Sequence, residues 1–349
     1  MADITTEADV ETETETRMVV IADPETEAPT EEVLEQQRVE LDGKIPSYLT
    51  GEMTDIAIAD RRPVAVMISN DKQAQPHYGI NHAGVIYEAP VEGTMNRFMA
   101  IFEDYDNLDR IGSVRSCRTY YTFFAREFEA IYAHYGQSVF ALPYLAKMDH
   151  LNGIEGKGAV AFYRSGDRKS PHNAYASAAG IKKGIAALSY SEEYPAEYKG
   201  HYRFARPDRP ETLEDGIPVI RLKPGYAYND PWFEYNKDEG LYYRFQYGGP
   251  HNGNEGQLAV KNIIFQNCPV GFYGSSEYLD INVHTPGSGY YFTGGRGTTV
   301  SWKKDETYGV TRYYDSDGQE ILLNPGKTWV CIISSDRVDK AEFYGEQTD

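Results

Sequence analysis

The sequence predicts an α+β or α/β fold, in which an N-terminal mixed α/β sandwich domain is followed by a mainly antiparallel β domain. Over residues 59–215, short apolar runs alternate with segments of helical spacing, a pattern typical of a sheet covered by helices. Over residues 216–349, strand-like runs are separated by turns that contain glycine and proline. We therefore expect two domains with separate cores.

Residues 1–58 are predicted to form a disordered acidic stalk. The formal net charge is -19, and residues 1–40 hold thirteen Asp and Glu against two Arg. So polar a segment cannot bury enough surface to fold. It suits the stalk of an envelope protein, although a disordered tail of a cytosolic protein has the same composition. Because the body is also acidic and offers no basic face, no nucleic-acid partner is expected.

The remaining composition excludes several classes of protein. No run of about eighteen apolar residues is present, so no transmembrane helix is predicted. No signal peptide is visible. Cys117, Cys268 and Cys331 lack the spacing of a metal site, and we expect them to be small buried residues. No metal or cofactor is predicted.

In the N-terminal domain, strands are expected at three short apolar runs, residues 64–68, 84–87 and 97–102. A helix is predicted to begin near residue 111, because Ser113 and Ser116 are N-cap candidates and aromatic residues follow at helical spacing. Two further helices are predicted over residues 139–148 and 177–188.

The candidate functional site lies in the stretch 84–118 and in the polar loop 167–173. Strand ends that carry charged residues are where α/β domains usually place a site. Guanidinium groups bind phosphate or carboxylate, and a helix start would add free amides if Arg115 and Arg118 lay on its first turn. The predicted ligand-binding residues are Arg97, Arg110, Arg115, Arg118, Arg168, His172 and Asn173. The alternative is a structural ion-pair network with Glu88, Glu92, Glu103 and Asp109.

Three residues are candidates for catalysis, but they do not form a complete catalytic set. Glu88 and Glu92 are suited to act as acid and base, or as oxygen ligands of a divalent cation. His172 is suited to donate a proton, and the loop 167–173 is expected to fold over the arginines. Asn173 has an alternative, purely structural role, in which its side chain caps the helix that follows. No nucleophile-elbow, zinc-protease or phosphate-loop motif is present.

Six stretches carry a resemblance to a known family: 62–70 (RPVAVMISN), 86–98, 110–116 (RIGSVRS), 167–173, 302–304 (WKK) and 324–329 (NPGKTW). Over roughly residues 60–335 the chain resembles the YerB-like family of Gram-positive bacteria, a family described as lipoproteins and without an assigned function. The resemblance implies two domains and an extracytoplasmic protein that a lipid anchors to the membrane, although the anchor itself lies outside this sequence. It implies no reaction.

Three functions stay open from the sequence. The first is an envelope protein that binds an anionic small molecule or cell-wall component in an arginine-lined cleft. The second is an envelope enzyme of phosphoryl or glycosyl-phosphate chemistry, with Glu88 or Glu92 as base or metal ligand and His172 as acid. The third is an adaptor that binds a protein partner through its tyrosine-rich β domain.

Overall fold

The computed structural model describes residues 38–304 and 306–345. The strands of the N-terminal half are β1 (Lys44–Pro46), β2 (Met53–Asp55), β3 (Val64–Ser69), β4 (Val85–Pro90), β5 (Asn96–Phe102), β6 (Ile111–Gly112), β7 (Ile131–His134), β8 (His150–Asn152), β9 (Phe162–Arg164) and β10 (Ala174–Ala176). The helices are α1 (Ile56–Ala59), α2 (Thr119–Arg126), α3 (Leu142–Leu145) and α4 (Ala178–Leu188).

The C-terminal half consists of strands and turns. Its strands are β11 (Ile217–Pro218), β12 (Arg221–Lys223), β13 (Trp232–Asn236), β14 (Leu241–Gln246), β15 (Gly249–Pro250), β16 (Asn252–Gly253), β17 (Gly256–Gln257), β18 (Ala259–Val260), β19 (Asn262–Cys268), β20 (Val270–Phe272), β21 (Leu279–Ile281), β22 (Gly287–Thr293), β23 (Arg296–Lys304), β24 (Thr311–Tyr314), β25 (Thr328–Ser334) and β26 (Glu342–Tyr344). The described chain is thus mostly β, with a mixed sheet at its centre. No helix in residues 38–304 or 306–345 combines the length and apolarity needed to cross a membrane.

One large sheet runs through both halves of the chain. Its strand order is β11-β23-β22-β19-β25-β4-β5-β3-β7-β8, with β24 beside β23. At the centre, β25 pairs in parallel with β4 on one side and with β19 on the other. The expectation of two separate cores is therefore wrong. Local patterns show where strands lie, but they do not show that a strand near residue 330 pairs with one near residue 87.

Both faces of this sheet are covered, as the sequence of β3 illustrates. Every residue of β3 is buried. Because successive side chains of a strand point to opposite faces, Val66 lies in one hydrophobic cluster and Met67 in the other. Trp329 joins the cluster of Val66, and Val330 joins the cluster of Met67. Residues of both halves therefore fill the core on each side of the sheet.

The three strands expected from apolar runs are confirmed as β3, β4 and β5, and the helix expected at residues 177–188 is confirmed as α4. Ser177 caps α4 by accepting from the amide of Gly180 at 3.1 Å. Asn173 therefore does not serve as the helix cap. The helix expected over residues 139–148 is shorter, because a 3₁₀ turn at Val139–Ala141 precedes α3.

The helix predicted to begin near residue 111 is wrong. α2 begins only at Thr119, and the segment before it is extended. Its backbone bonds to distant strands: the amide of Arg115 donates to Met67 at 3.0 Å, and that of Cys117 donates to Gly136 at 2.9 Å. Pairing with β3 and with the end of β7 outweighs the local capping pattern, so Arg115 and Arg118 do not project from a helical turn.

The predicted stalk extends too far into the chain. Residues 44–58 form the β1–β2 hairpin and most of α1, and Ser47 donates a 2.5 Å hydrogen bond to the buried Glu103. Residues 38–58 are therefore part of the fold, whereas the stalk prediction for residues 1–37 lies outside the described residues. The prediction of buried cysteines is confirmed, since Cys117, Cys268 and Cys331 are all free and buried.

A buried polar cluster around Glu127 joins the two halves. Lys304 donates to the Glu127 carboxylate, the hydroxyl of Thr311 donates to it at 2.9 Å, and His201 Nε2 lies 3.1 Å away. Burial by itself raises the pKa of Glu127, but the charge of Lys304, the neighbouring His201 and the hydrogen bonds from Lys304 and Thr311 outweigh burial and hold that pKa below its ordinary value. The carboxylate is therefore charged in the core and depends on its cationic partner.

We expect Lys304→Met to lower the free energy of unfolding by about 3–5 kcal/mol, because it leaves a charged carboxylate buried without its counter-ion. Urea unfolding should give one cooperative transition by circular dichroism and by tyrosine fluorescence, since the halves share one core. The control Lys340→Met removes only an exposed ion pair with Asp339 and should leave stability unchanged. Two separate transitions, or a Lys304→Met protein as stable as the control, would contradict this prediction.

Candidate functional site

The candidate site lies at one edge of the central sheet, where several parallel strands end. β3 and β4 run in the same direction because β5 is antiparallel to both, and β7 is parallel to β3. β25 and β19 also run parallel to β4. The carboxyl ends of these strands therefore meet at one edge, the usual place for a ligand in an α/β sheet. β5 begins at the same edge, with Arg97 as its second residue.

Three of the predicted arginines come together at this edge, and we call Arg97, Arg115 and Arg118 the arginine cluster. Arg97 is only 5% exposed and donates from Nη1 to the carbonyl of Ser116 at 2.5 Å. Arg115 and Arg118 come from the extended segment that precedes α2. Their charges act on Arg97 directly, so the three guanidinium groups lie close enough to repel one another.

The arginine cluster carries an excess of positive charge. Burial lowers the pKa of Arg97 to about 10, and repulsion from Arg118 and Arg115 acts in the same direction. Burial and Arg118 also lower the pKa of Arg115, although Asp71 opposes them. For Arg118, burial is outweighed by the hydrogen-bonded Glu92, so its pKa is raised. Within residues 38–304 and 306–345, no ion pair joins Arg97 or Arg115 to a carboxylate.

Only part of the expected ion-pair network forms around the cluster. Glu92 accepts two hydrogen bonds of 2.6 Å from Arg118, through Nε and Nη2. Glu103 instead accepts from Ser47, and Asp109 takes part in no ion pair in the described part of the chain. Within the arginine cluster, an ion pair with one of the four expected carboxylates is therefore found for Arg118 and not for Arg97 or Arg115.

The loop 167–173 reaches the cluster through Pro171 and His172. Arg115 Nη1 donates to the carbonyl of Pro171 at 3.2 Å. His172 Nε2 lies 3.9 Å from Asp71 Oδ1, and its buried Nδ1 has no hydrogen-bond partner among the residues described. Burial lowers the pKa of His172, with Arg115 and Arg168 assisting and Asp71 opposing. His172 thus lies beside Arg115, whereas its contact with a ligand stays a prediction.

Arg110 does not join the arginine cluster. Its guanidinium forms two hydrogen bonds with Asp167, of 2.9 and 3.0 Å, and lies 3.9 Å from the ring centres of both Tyr78 and Tyr175. The expectation that four arginines converge on one cleft is therefore wrong for Arg110. Its charge is balanced by a carboxylate from the loop that was expected to close over the site.

The side chains of Arg168 and Asn173 also form hydrogen bonds within the protein. Arg168 Nη2 donates to the carbonyls of Gln75 and Pro76 at 2.9 and 3.0 Å. Asn173 accepts from Arg164 at 2.7 Å. These bonds hold the loop 167–173 against its neighbours, so we assign both side chains to positioning the loop.

Glu88 is enclosed in a second polar network, behind the site. It is fully buried and accepts two hydrogen bonds from Arg244 of β14, of 2.9 and 2.7 Å. Asn96 and Asn70 donate to the same carboxylate at 3.1 and 3.4 Å, and Trp329 Nε1 donates at 3.2 Å. Both carboxylate oxygens are therefore occupied, which leaves Glu88 no role as a base or metal ligand in this conformation.

Sequence reasoning missed two residues that shape these networks. Asp71 lies two residues after the end of β3, just as Glu92 lies two residues after the end of β4, so the same strand-end argument was available for it. Arg244 lies in a strand whose buried positions alternate with partly exposed ones, and it occupies an inward position. That alternation was the available signal for a buried charge.

In the described part of the chain, no three His, Cys, Asp or Glu side chains are grouped so that they could hold a metal ion. The groups that the site presents are three guanidinium groups and, beside them, the imidazole of His172. His134 is not among the groups that the site presents. Its Nδ1 forms a hydrogen bond with the carbonyl of Gly136 at 2.8 Å, and its Nε2 forms one with His150 at 3.0 Å.

Glu88→Gln should lower the free energy of unfolding by about 3–5 kcal/mol, because it leaves the buried Arg244 without its counter-ion. Chemical denaturation at constant pH measures this. The control Glu234→Gln removes a partly exposed carboxylate 3.8 Å from Arg221 and should cost less than about 1 kcal/mol. If the Glu88→Gln protein is as stable as the wild type, the ion pair between Glu88 and Arg244 is not needed for folding. Glu88 would then again be a candidate for a catalytic base or metal ligand.

Comparison with known proteins identifies the family. Residues 49–191 match the N-terminal domain, and residues 220–330 the C-terminal domain, of a protein of unknown function (DUF3048). "Putative lipoprotein YerB" of Bacillus subtilis (strain 168) is 29% identical over 303 residues, which span 83% of this chain and 86% of that protein. The crystal structure of YerB protein from Bacillus subtilis superposes with a TM-score of 0.75 at 27% identity, covering 85% of this chain and 99% of the other. The chain is therefore homologous to YerB and belongs to the DUF3048 family, with both of its domains present.

Proposed function

We propose that this protein binds an anionic group, phosphate or carboxylate, in the arginine cluster. The observation that carries the proposal is the buried guanidinium of Arg97, which has no carboxylate partner in residues 38–304 and 306–345. A buried charge without a counter-ion is costly. Two further guanidinium groups beside it increase that cost by repulsion. A bound anion would supply the missing negative charge.

The geometry of the cluster suits an anion with several oxygen atoms. Arg97 uses one nitrogen for Ser116, and Arg115 uses one for Pro171, so each keeps other N–H donors. Guanidinium groups bind phosphate and carboxylate through two parallel hydrogen bonds. Glu92 lies on the Arg118 side and would keep an anion toward Arg97 and Arg115 by repulsion.

Binding is better supported than catalysis. Glu88 is enclosed by Arg244 and buried amides, and Glu92 is held by Arg118, so neither carboxylate is free to act as a base. His172 is the remaining candidate, and the 3.9 Å between its Nε2 and Asp71 is too long for a hydrogen bond. Binding requires only that the imidazole of His172 donate a hydrogen bond to the anion, and no proton has to be transferred.

The cellular setting of this activity is the outer side of the membrane. The relative YerB carries the word lipoprotein in its name. The acidic N-terminal residues of this chain have the composition of an extended tether. We infer that a lipid holds the chain to the membrane, so that the arginine cluster meets anionic cell-wall components or anionic small molecules outside the cell.

Arg115→Ala should weaken the binding of inorganic phosphate or pyrophosphate by about ten- to 150-fold, corresponding to about 1.5–3 kcal/mol for a hydrogen bond to a charged group. Isothermal titration calorimetry at low ionic strength measures this. Arg206→Ala is a matched control, because the Arg206 side chain is 73% exposed and, among the described residues, its ion pair is with Asp208, two positions along the chain. Equal affinity in the Arg115→Ala and Arg206→Ala proteins, or no anion binding by the wild type, would refute the proposal.

The affinity for sulfate, an anion whose own charge is constant in this range, should rise as the pH falls below 6.5. The pKa of free His172 lies below its ordinary 6.5 because of burial and two nearby arginines. A bound anion favours the protonated imidazole, so lowering the pH through that pKa adds a favourable charge. His172→Gln keeps hydrogen bonding without titration and should remove the His172 component of the pH dependence. An identical pH profile in both proteins would show that His172 lies outside the ligand's reach.

A further inference from the structure

A hairpin of the C-terminal half and the 3₁₀ turn at Val139–Ala141 together place aromatic rings beside the arginine cluster. The hairpin consists of β20 and β21, which pair with each other in a sheet of their own. It begins two residues after β19 ends, and β19 runs parallel to β25 and β4. The hairpin therefore leaves the central sheet at the same edge at which the arginines lie.

Ring contacts connect this hairpin to the cluster. The guanidinium carbon of Arg118 lies 5.1 Å from the ring centre of Tyr278. Tyr278 lies edge-on to Phe140, with their centres 5.8 Å apart. Phe140 in turn stacks on Tyr273, with 4.3 Å between the ring centres and 9° between the planes. We call Phe140, Tyr273 and Tyr278 the aromatic wall, and its three rings extend outward from Arg118.

The aromatic wall is not part of the hydrophobic core. All three of its residues are partly exposed, and Phe272 beside them is 62% exposed. On the N-terminal side, Val139 next to Phe140 is 65% exposed. Contiguous exposed apolar surface is uncommon on a soluble domain and usually marks a place where something binds. Here it lies against Arg118, which Glu92 balances, and next to Arg97 and Arg115, which have no ion pair with a carboxylate in the described part of the chain.

The two surfaces together select a ligand with two parts. The arginine cluster requires negative charge, and the aromatic wall requires a flat, weakly polar group attached close to that charge. A pyranose ring has such a face of C–H groups, which packs on an aromatic ring, while its hydroxyl groups stay in water. A chain of polyol phosphates has the charge but offers no such rigid face.

We propose that the ligand carries its anionic group on a sugar ring, so that the arginine cluster binds the anion and the aromatic wall packs against the sugar. This inference rests on the proposed anion binding and narrows the class of its ligand to sugar phosphates or acidic sugars. The hairpin, together with Phe140, contributes sugar recognition, and the arginines of the N-terminal half contribute charge recognition. The site therefore needs both halves of the chain.

Isothermal titration calorimetry with the full-length protein tests the inference. The probes are glucose 1-phosphate, glycerol 3-phosphate, inorganic phosphate and uncharged methyl glucoside. Glucose 1-phosphate should bind at least about threefold more tightly than glycerol 3-phosphate or inorganic phosphate. Methyl glucoside should bind far more weakly than all three, because it lacks the charge that the arginines need.

Tyr273→Ala should weaken the binding of glucose 1-phosphate by about three- to tenfold and leave that of inorganic phosphate unchanged. Tyr273→Phe keeps the ring and should bind as the wild type does. Tyr243→Ala is the control, because Tyr243 lies in β14, outside the hairpin, and its hydroxyl donates to Glu239. Unfolding curves of the variants show whether Tyr273→Ala retains the native fold, and if it does not, Tyr273→Leu replaces it.

The outcomes separate the two proposals. If all three anions bind equally well and the change at Tyr273 has no effect, the sugar inference is overturned while anion binding stands. If none of the anions binds, the proposed function fails as well. If methyl glucoside binds as tightly as glucose 1-phosphate, the aromatic wall acts without the arginines, and the two-part ligand is excluded.

Discussion

The buried ion pair between Glu88 and Arg244 is the interaction on which the geometry of the site depends. It joins β4 of the N-terminal half to β14 of the C-terminal half. Two of its further partners, Asn70 and Asn96, are the immediate sequence neighbours of Asp71 and Arg97. Fixing these two asparagines also fixes the ends of β3 and β5. The carboxylate that looked catalytic in sequence therefore supports the site from behind.

The two buried arginines differ in where their counter-charge lies. Arg244 finds its carboxylate inside the protein, together with Gln246, whose Oε1 accepts from it at 3.0 Å. Arg97 is almost as buried, but its guanidinium donates to the carbonyl of Ser116, lies near two repelling arginines, and has no ion pair with a carboxylate in the described residues. The first arrangement is complete without a ligand and stabilises the fold. The second is unbalanced, and a fold that keeps such an imbalance gains most from an anion that binds there.

Local sequence patterns predicted the strands well and the site only in part. β3, β4 and β5 are compact apolar runs, so burial alone identifies them. The segment before α2 has good capping residues, but its amides bond to strands that are distant in sequence, and no local pattern contains that information. The same holds for the pairing of Glu88 with Arg244. The family resemblance, carried by whole motifs, did predict the family that the comparisons show.

The position of β25 explains why the site combines elements from both halves. Because β25 lies between β4 and β19 and is parallel to both, the carboxyl ends of an N-terminal and a C-terminal strand lie side by side. Whatever follows β19 must then leave the sheet next to the residues that follow β4. The chain places the arginine-bound Glu92 after β4 and the aromatic hairpin after β19. With β25 at an outer edge of the sheet instead, the hairpin would lie far from the arginines, so the parallel insertion of one strand is what brings the arginine cluster and the aromatic wall together.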